Sequence, residues 1–139
     1  MIRAVLDTNV IISALLWGGL PQQIFLAARD ERFVAVLTEA LLDELITTLS
    51  REKFTQQLAL RQLTVDAIVT LYRSAVLFVD PVEVPDNVVR DPKDRAVLAC
   101  AVGGKSDFIV SGDKDLLVLG SYEGVSILSA DQFLVRLSS

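Results

Sequence analysis

The sequence predicts an α/β fold, a three-layer α/β/α arrangement with a central parallel sheet of about five strands. Three observations carry this. Short apolar, β-prone runs alternate along the chain with longer segments whose apolar residues recur at helical spacing. Turn-forming and helix-capping residues stand at the junctions. The chain has 139 residues, of which 52% are hydrophobic, enough for one core, so residues 1–139 are read as a single domain.

The elements follow in order. Ile2–Leu6 is a short apolar run, interrupted by Arg3, that predicts a buried strand. Asp7-Thr8-Asn9 ends it, and Val10–Trp17 predicts a short helix stopped by Gly18-Gly19. Pro21 suits the first turn of a helix reaching Ala28. Phe33–Leu37 is the second strand. Thr38 is the natural cap of a helix to Leu49, whose apolar face is Leu41, Leu42, Leu45, Ile46 and Leu49. Phe54–Leu63 and Val65–Ala75 read as two further helices, Thr64 capping the second, and Val76–Val79 as the third strand. Asp80–Lys93 holds Pro81, Pro85 and Pro92 and reads as irregular. Asp94–Val102 is helical, Phe108–Val110 is the fourth strand, and Leu116–Leu119 is a short helix. Val125–Leu128 is the fifth strand. Ser129 and Gln132 form a capping-box pair for the last helix. Trp17 and Tyr72 are read as packing residues rather than as platforms for bases.

Composition removes most chemistries. There is no histidine, which excludes Ser-His-Asp triads, histidine bases and histidine-bound zinc. A lone Cys100 excludes internal disulfides and CxxC pairs and fits a reduced compartment. Neither GxGxxG nor GxxxxGK[ST] occurs, which disfavours nucleotide binding. With 13 Lys+Arg against 18 Asp+Glu the net charge is −5, unlike a surface built to coat nucleic acid. Met1–Asp7 meets a charge before an apolar run long enough for a signal peptide. No apolar stretch has the length of a membrane span. A cytoplasmic protein without a membrane partner is expected.

In a parallel α/β sheet, sites form beyond the carboxyl ends of the strands, near a switch in strand order. Four separate segments bring carboxylates to that edge. Asp7 ends the first strand. Asp43 and Glu44 lie on the helix after the second, and periodicity does not choose between them. Asp94 opens the helix before the fourth strand, and Asp113 and Asp115 follow that strand. Each has a plain structural reading: Asp7 as a helix cap, Asp94 as a first-turn acid, Asp113 as a turn residue. Together they point to a cation, because clustered carboxylates either take up protons or hold a metal. Oxygen ligands suit Mg²⁺ or Mn²⁺, and such a site suits hydrolysis of a phosphodiester. Thr8, Asn9 and Ser111 are the polar neighbours that orient those carboxylates or hold a metal-bound water. Among the cations, Lys93 and Lys114 stand beside proposed ligands and are read as substrate contacts. Arg51 and Lys53 are read as ordinary solvated charges.

These residues also carry a resemblance. Val5-Leu6-Asp7-Thr8-Asn9-Val10 resembles the first motif of PIN-domain nucleases. Leu41-Leu42-Asp43-Glu44-Leu45 is similar to their helix with the second acidic residue, and that likeness selects Glu44. Asp91-Pro92-Lys93-Asp94-Arg95-Ala96-Val97-Leu98 resembles the third motif. Ile109-Val110-Ser111-Gly112-Asp113-Lys114-Asp115 resembles the fourth, with Ser111 where many members carry threonine. The resemblance implies a PIN fold and a Mg²⁺- or Mn²⁺-dependent ribonuclease with Asp7, Glu44, Asp94 and Asp113 as catalytic and metal-binding residues. It leaves direct ligation by Asp115 open. The subgroup it is most similar to is the VapC-like toxins of prokaryotic toxin–antitoxin pairs. That implies an RNA substrate, a protein antitoxin and a homodimer. Two other readings stand beside it. A haloacid-dehalogenase-like phosphatase uses an Asp nucleophile at the position of Asp7 but needs a second Asp where this chain has Asn9. A non-catalytic PIN module binding RNA or a partner is the other.

Overall fold

The computed structural model describes residues 1–139. The chain runs β1 (Arg3–Leu6), α1 (Thr8–Leu16), α2 (Gly19–Arg29), β2 (Val34–Leu37), α3 (Glu39–Leu49), α4 (Glu52–Leu60), α5 (Val65–Ala75), β3 (Val76–Phe78), α6 (Pro92–Gly103), β4 (Phe108–Val110), α7 (Lys114–Leu119), β5 (Ser121–Tyr122), β6 (Val125–Leu128) and α8 (Ala130–Leu137). The sheet order is β3-β2-β1-β4-β6-β5. All pairings are parallel except β5 with β6. Val5 lies opposite Ile109, which lies opposite Ile127. Phe108, Ile109 and Val110 are all buried. Successive strand residues point to opposite faces, so both faces of the sheet are covered.

The five parallel strands agree with the sequence, and the structure adds a sixth. β5 has two residues and turns back on β6 through Glu123 and Gly124, both at positive φ (48° and 82°). That is the backbone a two-residue hairpin loop requires. A two-residue strand is too short for alternation to reveal.

Several element starts also differ from the sequence reading. α1 begins at Thr8 rather than Val10, and α2 at Gly19 rather than Pro21. α6 begins at Pro92, because Asp91 caps it by accepting from the Lys93 N–H at 2.9 Å. Proline belongs in such a first turn. Thr38 and Thr64 cap α3 and α5 as expected, accepting from Leu41 N at 3.2 Å and Ala67 N at 3.1 Å. Gln132 accepts from the Ser129 N–H at 3.0 Å at the start of α8.

The core joins Phe33, Phe108 and Phe133, with ring centroids 5.0 and 5.9 Å apart. α6 packs across β1, β2 and β4. Gly103 ends α6 against the segment after β3, where a Cβ would stand 2.0 Å from the Asp80 carbonyl oxygen. The irregular segment before α6 is anchored, not free. Val84 and Val89 are buried, and the Arg95 guanidinium donates to the carbonyls of Val89 and Arg90 at 2.9 and 3.0 Å. Tyr72 is buried as expected, 6.3 Å from Phe25. Trp17 departs from its reading as a packing residue: it is 60% exposed and meets only the edge of the core, through Phe54. It follows the last turn of α1 immediately before Gly18, where the chain leaves the helix. No single helix is long and apolar enough to cross a membrane.

Candidate metal centre

The sheet order fixes where the site forms. From β1 the chain moves outward to β2 and β3, then returns to place β4 on the other side of β1. The carboxyl ends of β1 and β4 therefore straddle the switch in strand order. Asp7 N donates to the Val110 carbonyl at 3.0 Å, locking the two ends together.

A cleft of about 310 Å³ opens there. Its lining includes Asp7, Thr8, Asn9, Glu44, Lys93, Asp94 and Asp113 from the residues singled out in the sequence. Asp94, Asp113 and Asp115 each offer an oxygen within 4.8 Å of the others. Asp115 is exposed, and it joins this triad from the outer side rather than from the lining of the cleft. Of the two candidates on α3, Glu44 reaches the cleft, whereas Asp43 is exposed and absent from its lining. Lys114 is likewise exposed and outside the lining.

Each carboxylate is held in its own way. Asp7 occupies the cap position of α1 but makes no cap hydrogen bond. Its Oδ2 accepts instead from the Ser111 hydroxyl at 2.7 Å. Ser111 is itself buried and its Oγ accepts from Asp113 N at 3.0 Å, so one hydroxyl positions both aspartates. Asp113 caps α7 by accepting from Asp115 N at 2.8 Å and still lines the cleft, so the capping role does not withdraw it from the other carboxylates. Glu44 accepts from Thr48 Oγ1 at 3.4 Å and pairs with Lys93 Nζ at 3.4 Å. Asp94 is buried, and none of the four ion pairs in the molecule gives it a cation.

The electrostatics follow from that crowding. Burial pushes the Asp94 carboxyl up to about 6, and the charges of Asp113, Asp91, Asp7 and Asp115 add to it. Burial also raises Asp7, against the opposing hydrogen bond from Ser111, with the charges of Asp113 and Glu44 adding to the rise. These groups are poised to exchange protons for a cation. An all-oxygen donor set with a buried, unpaired carboxylate suits a hard divalent ion such as Mg²⁺ or Mn²⁺.

Six further residues line the cleft, the apolar Leu41 and Val97 and the polar Thr48, Arg51, Lys53 and Asp91. Thr48 stands one helical turn after Glu44, a spacing that would have revealed it. Arg51 and Lys53, read from the sequence as ordinary surface charges, line the cleft from the turn where Arg51, in an extended conformation, separates α3 from α4. Nothing in their local sequence signals that turn's direction.

Residues 3–115 match the PIN domain family, and the chain belongs to it. The match spans all four acidic segments. The chain is 31% identical over 119 residues to Uncharacterized protein MJ1680 of Methanocaldococcus jannaschii, covering 85% of this chain and 75% of that one. Its fold is also similar to a chain in the crystal structure of VapBC2 from Rickettsia felis bound to a DNA fragment from their promoter. The TM-score is 0.61 at 12% identity, covering 92% of this chain and 98% of that one.

Proposed function

We propose that the protein is a divalent-metal-dependent endoribonuclease and the toxin of a toxin–antitoxin pair. The observation that carries this is the meeting of Asp94, Asp113 and Asp115 within 4.8 Å at the sheet's switch point, beside Asp7 and Glu44 in one cleft. Membership of the PIN family supports nuclease chemistry. The shared fold with a chain of VapBC2 supports the toxin reading and a protein antitoxin.

Asp94, Asp113 and Asp115 would hold Mg²⁺ or Mn²⁺, with Asp7 and Glu44 adding carboxylates from the same cleft. The bound cation would supply activation of water and neutralisation of charge on the phosphodiester. Ser111 keeps Asp7 and Asp113 oriented through its two hydrogen bonds. Thr8 and Asn9, at the mouth of the cleft, orient carboxylates and water. Lys93 balances Glu44 before substrate arrives and can turn to a phosphate once the cation is in place. The products of hydrolysis are one end bearing a phosphate monoester and one bearing a free hydroxyl, with water adding across the broken P–O bond.

The test is cleavage of a mixed RNA pool with Mg²⁺ or Mn²⁺, with EDTA, and with Asp7→Asn. Cleavage by the wild type that is lost in both controls is expected. A folded wild type that neither cleaves RNA nor binds either metal by calorimetry overturns the reading and leaves a binding module. Steady hydrolysis of a small phosphate monoester, with RNA untouched, would instead favour the phosphatase alternative. Co-purification with the product of a small adjacent gene tests the antitoxin, and light scattering tests the homodimer.

A further inference from the structure

The lining of the cleft carries both signs of charge. Asp7, Asp94 and Asp113 line it, and so do Arg51 and Lys53 from the end of α3 and the start of α4. Both cations are exposed, and neither takes part in any ion pair of the molecule, unlike Lys93. Two unpaired cations lining the same cleft as carboxylates are suited to a ligand that carries both a metal-binding group and further negative charge. Lys53 also leads away from the cleft. Its Nζ lies 5.0 Å from the centre of the Phe54 ring, and Phe54 meets Trp17 edge-on at 6.3 Å. Trp17 is 60% exposed. α1 starts in the cleft at Thr8 and ends beside Trp17, so the indole stands roughly 15 Å along the helix from Asp7. Cations that track a backbone, next to an exposed aromatic face, are what a single-stranded nucleic acid needs.

We propose that Arg51, Lys53 and Trp17 form the substrate-holding rim of the cleft: the two cations grip phosphates beside the cleaved one, and Trp17 stacks on an unpaired base. This rests on the ribonuclease reading and makes its substrate single-stranded next to the cleaved bond. Duplex RNA does not offer a base face to Trp17.

Trp17 is the only tryptophan, so its emission reports on one place. The experiment titrates Asp7→Asn protein in Mg²⁺ with a short single-stranded RNA of mixed sequence, and with the same RNA as a duplex. Affinity is read separately by anisotropy of labelled RNA. Tryptophan emission should be quenched by the single strand and little changed by the duplex. Added to that background, Trp17→Ala should weaken binding about tenfold while Trp17→Phe retains it. Arg51→Gln and Lys53→Gln should each lower the slope of log affinity against log salt by about 0.7, and Arg51→Lys should restore it. Metal affinity by calorimetry should be the same in all rim variants. Unchanged emission at saturating RNA, an unchanged salt slope in both cation variants, or no RNA binding overturns the proposal. Unchanged emission with binding intact would give the exposed indole to a protein contact instead. Binding and quenching without cleavage by the wild type would sink the hydrolytic reading and leave the rim standing.

Discussion

The Ser111 hydroxyl donates to Asp7 Oδ2 at 2.7 Å across 104 residues of sequence. With the Asp7 N–H to Val110 carbonyl bond it joins the carboxyl ends of β1 and β4, and the same hydroxyl oxygen accepts from the Asp113 backbone N–H. Ser111→Ala would release Asp7 and remove the larger of the two hydrogen bonds that oppose its raised pKa, the other coming from the Thr8 backbone. A loss of about 1–3 kcal/mol in stability is expected for breaking a buried hydrogen bond to a charged group, together with about tenfold weaker metal binding. Ser111→Thr keeps the hydroxyl and should keep both. Chemical denaturation and calorimetry check this, and an alanine variant with wild-type metal affinity contradicts it.

Asp94 gives the metal-free protein an unusual pH dependence. Its carboxyl titrates near 6 when folded against an ordinary 3.8. Folding therefore takes up a proton between those values, and the stabilisation present below about pH 4 is lost as pH rises through 6. The gap corresponds to about 3 kcal/mol as a ceiling. Asp7, also raised, acts in the same direction. In EDTA, Asp94→Asn should gain stability over the wild type at pH 7.5 and much less at about pH 4.5. Metal binding should weaken as pH falls through about 6, since Asp94 must lose its proton first. Urea titrations of both proteins at the two pH values decide it; a pH-independent difference removes the argument.

Lys93 and Lys114 have similar sequence settings, each beside a proposed ligand, but different places. Lys93 lines the cleft and pairs with Glu44 at 3.4 Å; Lys114 is exposed outside it. Lys93→Gln is expected to slow RNA cleavage by about tenfold, with a stability change within about 1 kcal/mol because the pair is solvated. Lys114→Gln is expected to leave cleavage unchanged. Equal losses in the two variants would show that charge near the site, rather than position in the cleft, is what matters.

Gly103 has no room for a methyl group. A Cβ would meet the Asp80 carbonyl oxygen at 2.0 Å, and backbone atoms cannot swing away as a side chain can. Gly103→Ala should destabilise the fold by at least about 2 kcal/mol. Gly112, with nothing near its Cβ position, should accept alanine with little change. Thermal unfolding of the two variants compares them directly.

How much of this the sequence carried can be judged residue by residue. The parallel strands and most helices were legible because their signals are local: apolar runs, Thr38 and Thr64 as caps, helical spacing on α3. The acidic edge was legible because strand ends in such a sheet share one rim, and Asp7, Asp94 and Asp113 do line one cleft. Periodicity left Asp43 and Glu44 equal; only the helix's rotation against α1 and α6 separates them. That Arg51 and Lys53 line the cleft, and that Trp17 is exposed beside Phe54, depends on where α4 lies, a tertiary matter with no local mark. β5 escaped because two residues cannot show a period.

The switch in strand order also sets a timetable. Asp7 is made 104 residues before Ser111, the hydroxyl that holds its carboxylate. β1 sits between β2 and β4, so it is paired on only one side until β4 is synthesised. A ribosome that has released only the first hundred residues has exposed Asp7, Glu44 and Asp94 with no fourth wall to close the site. The acidic cleft is thus assembled only once β4 and Asp113 have joined the strands and carboxylates made before them.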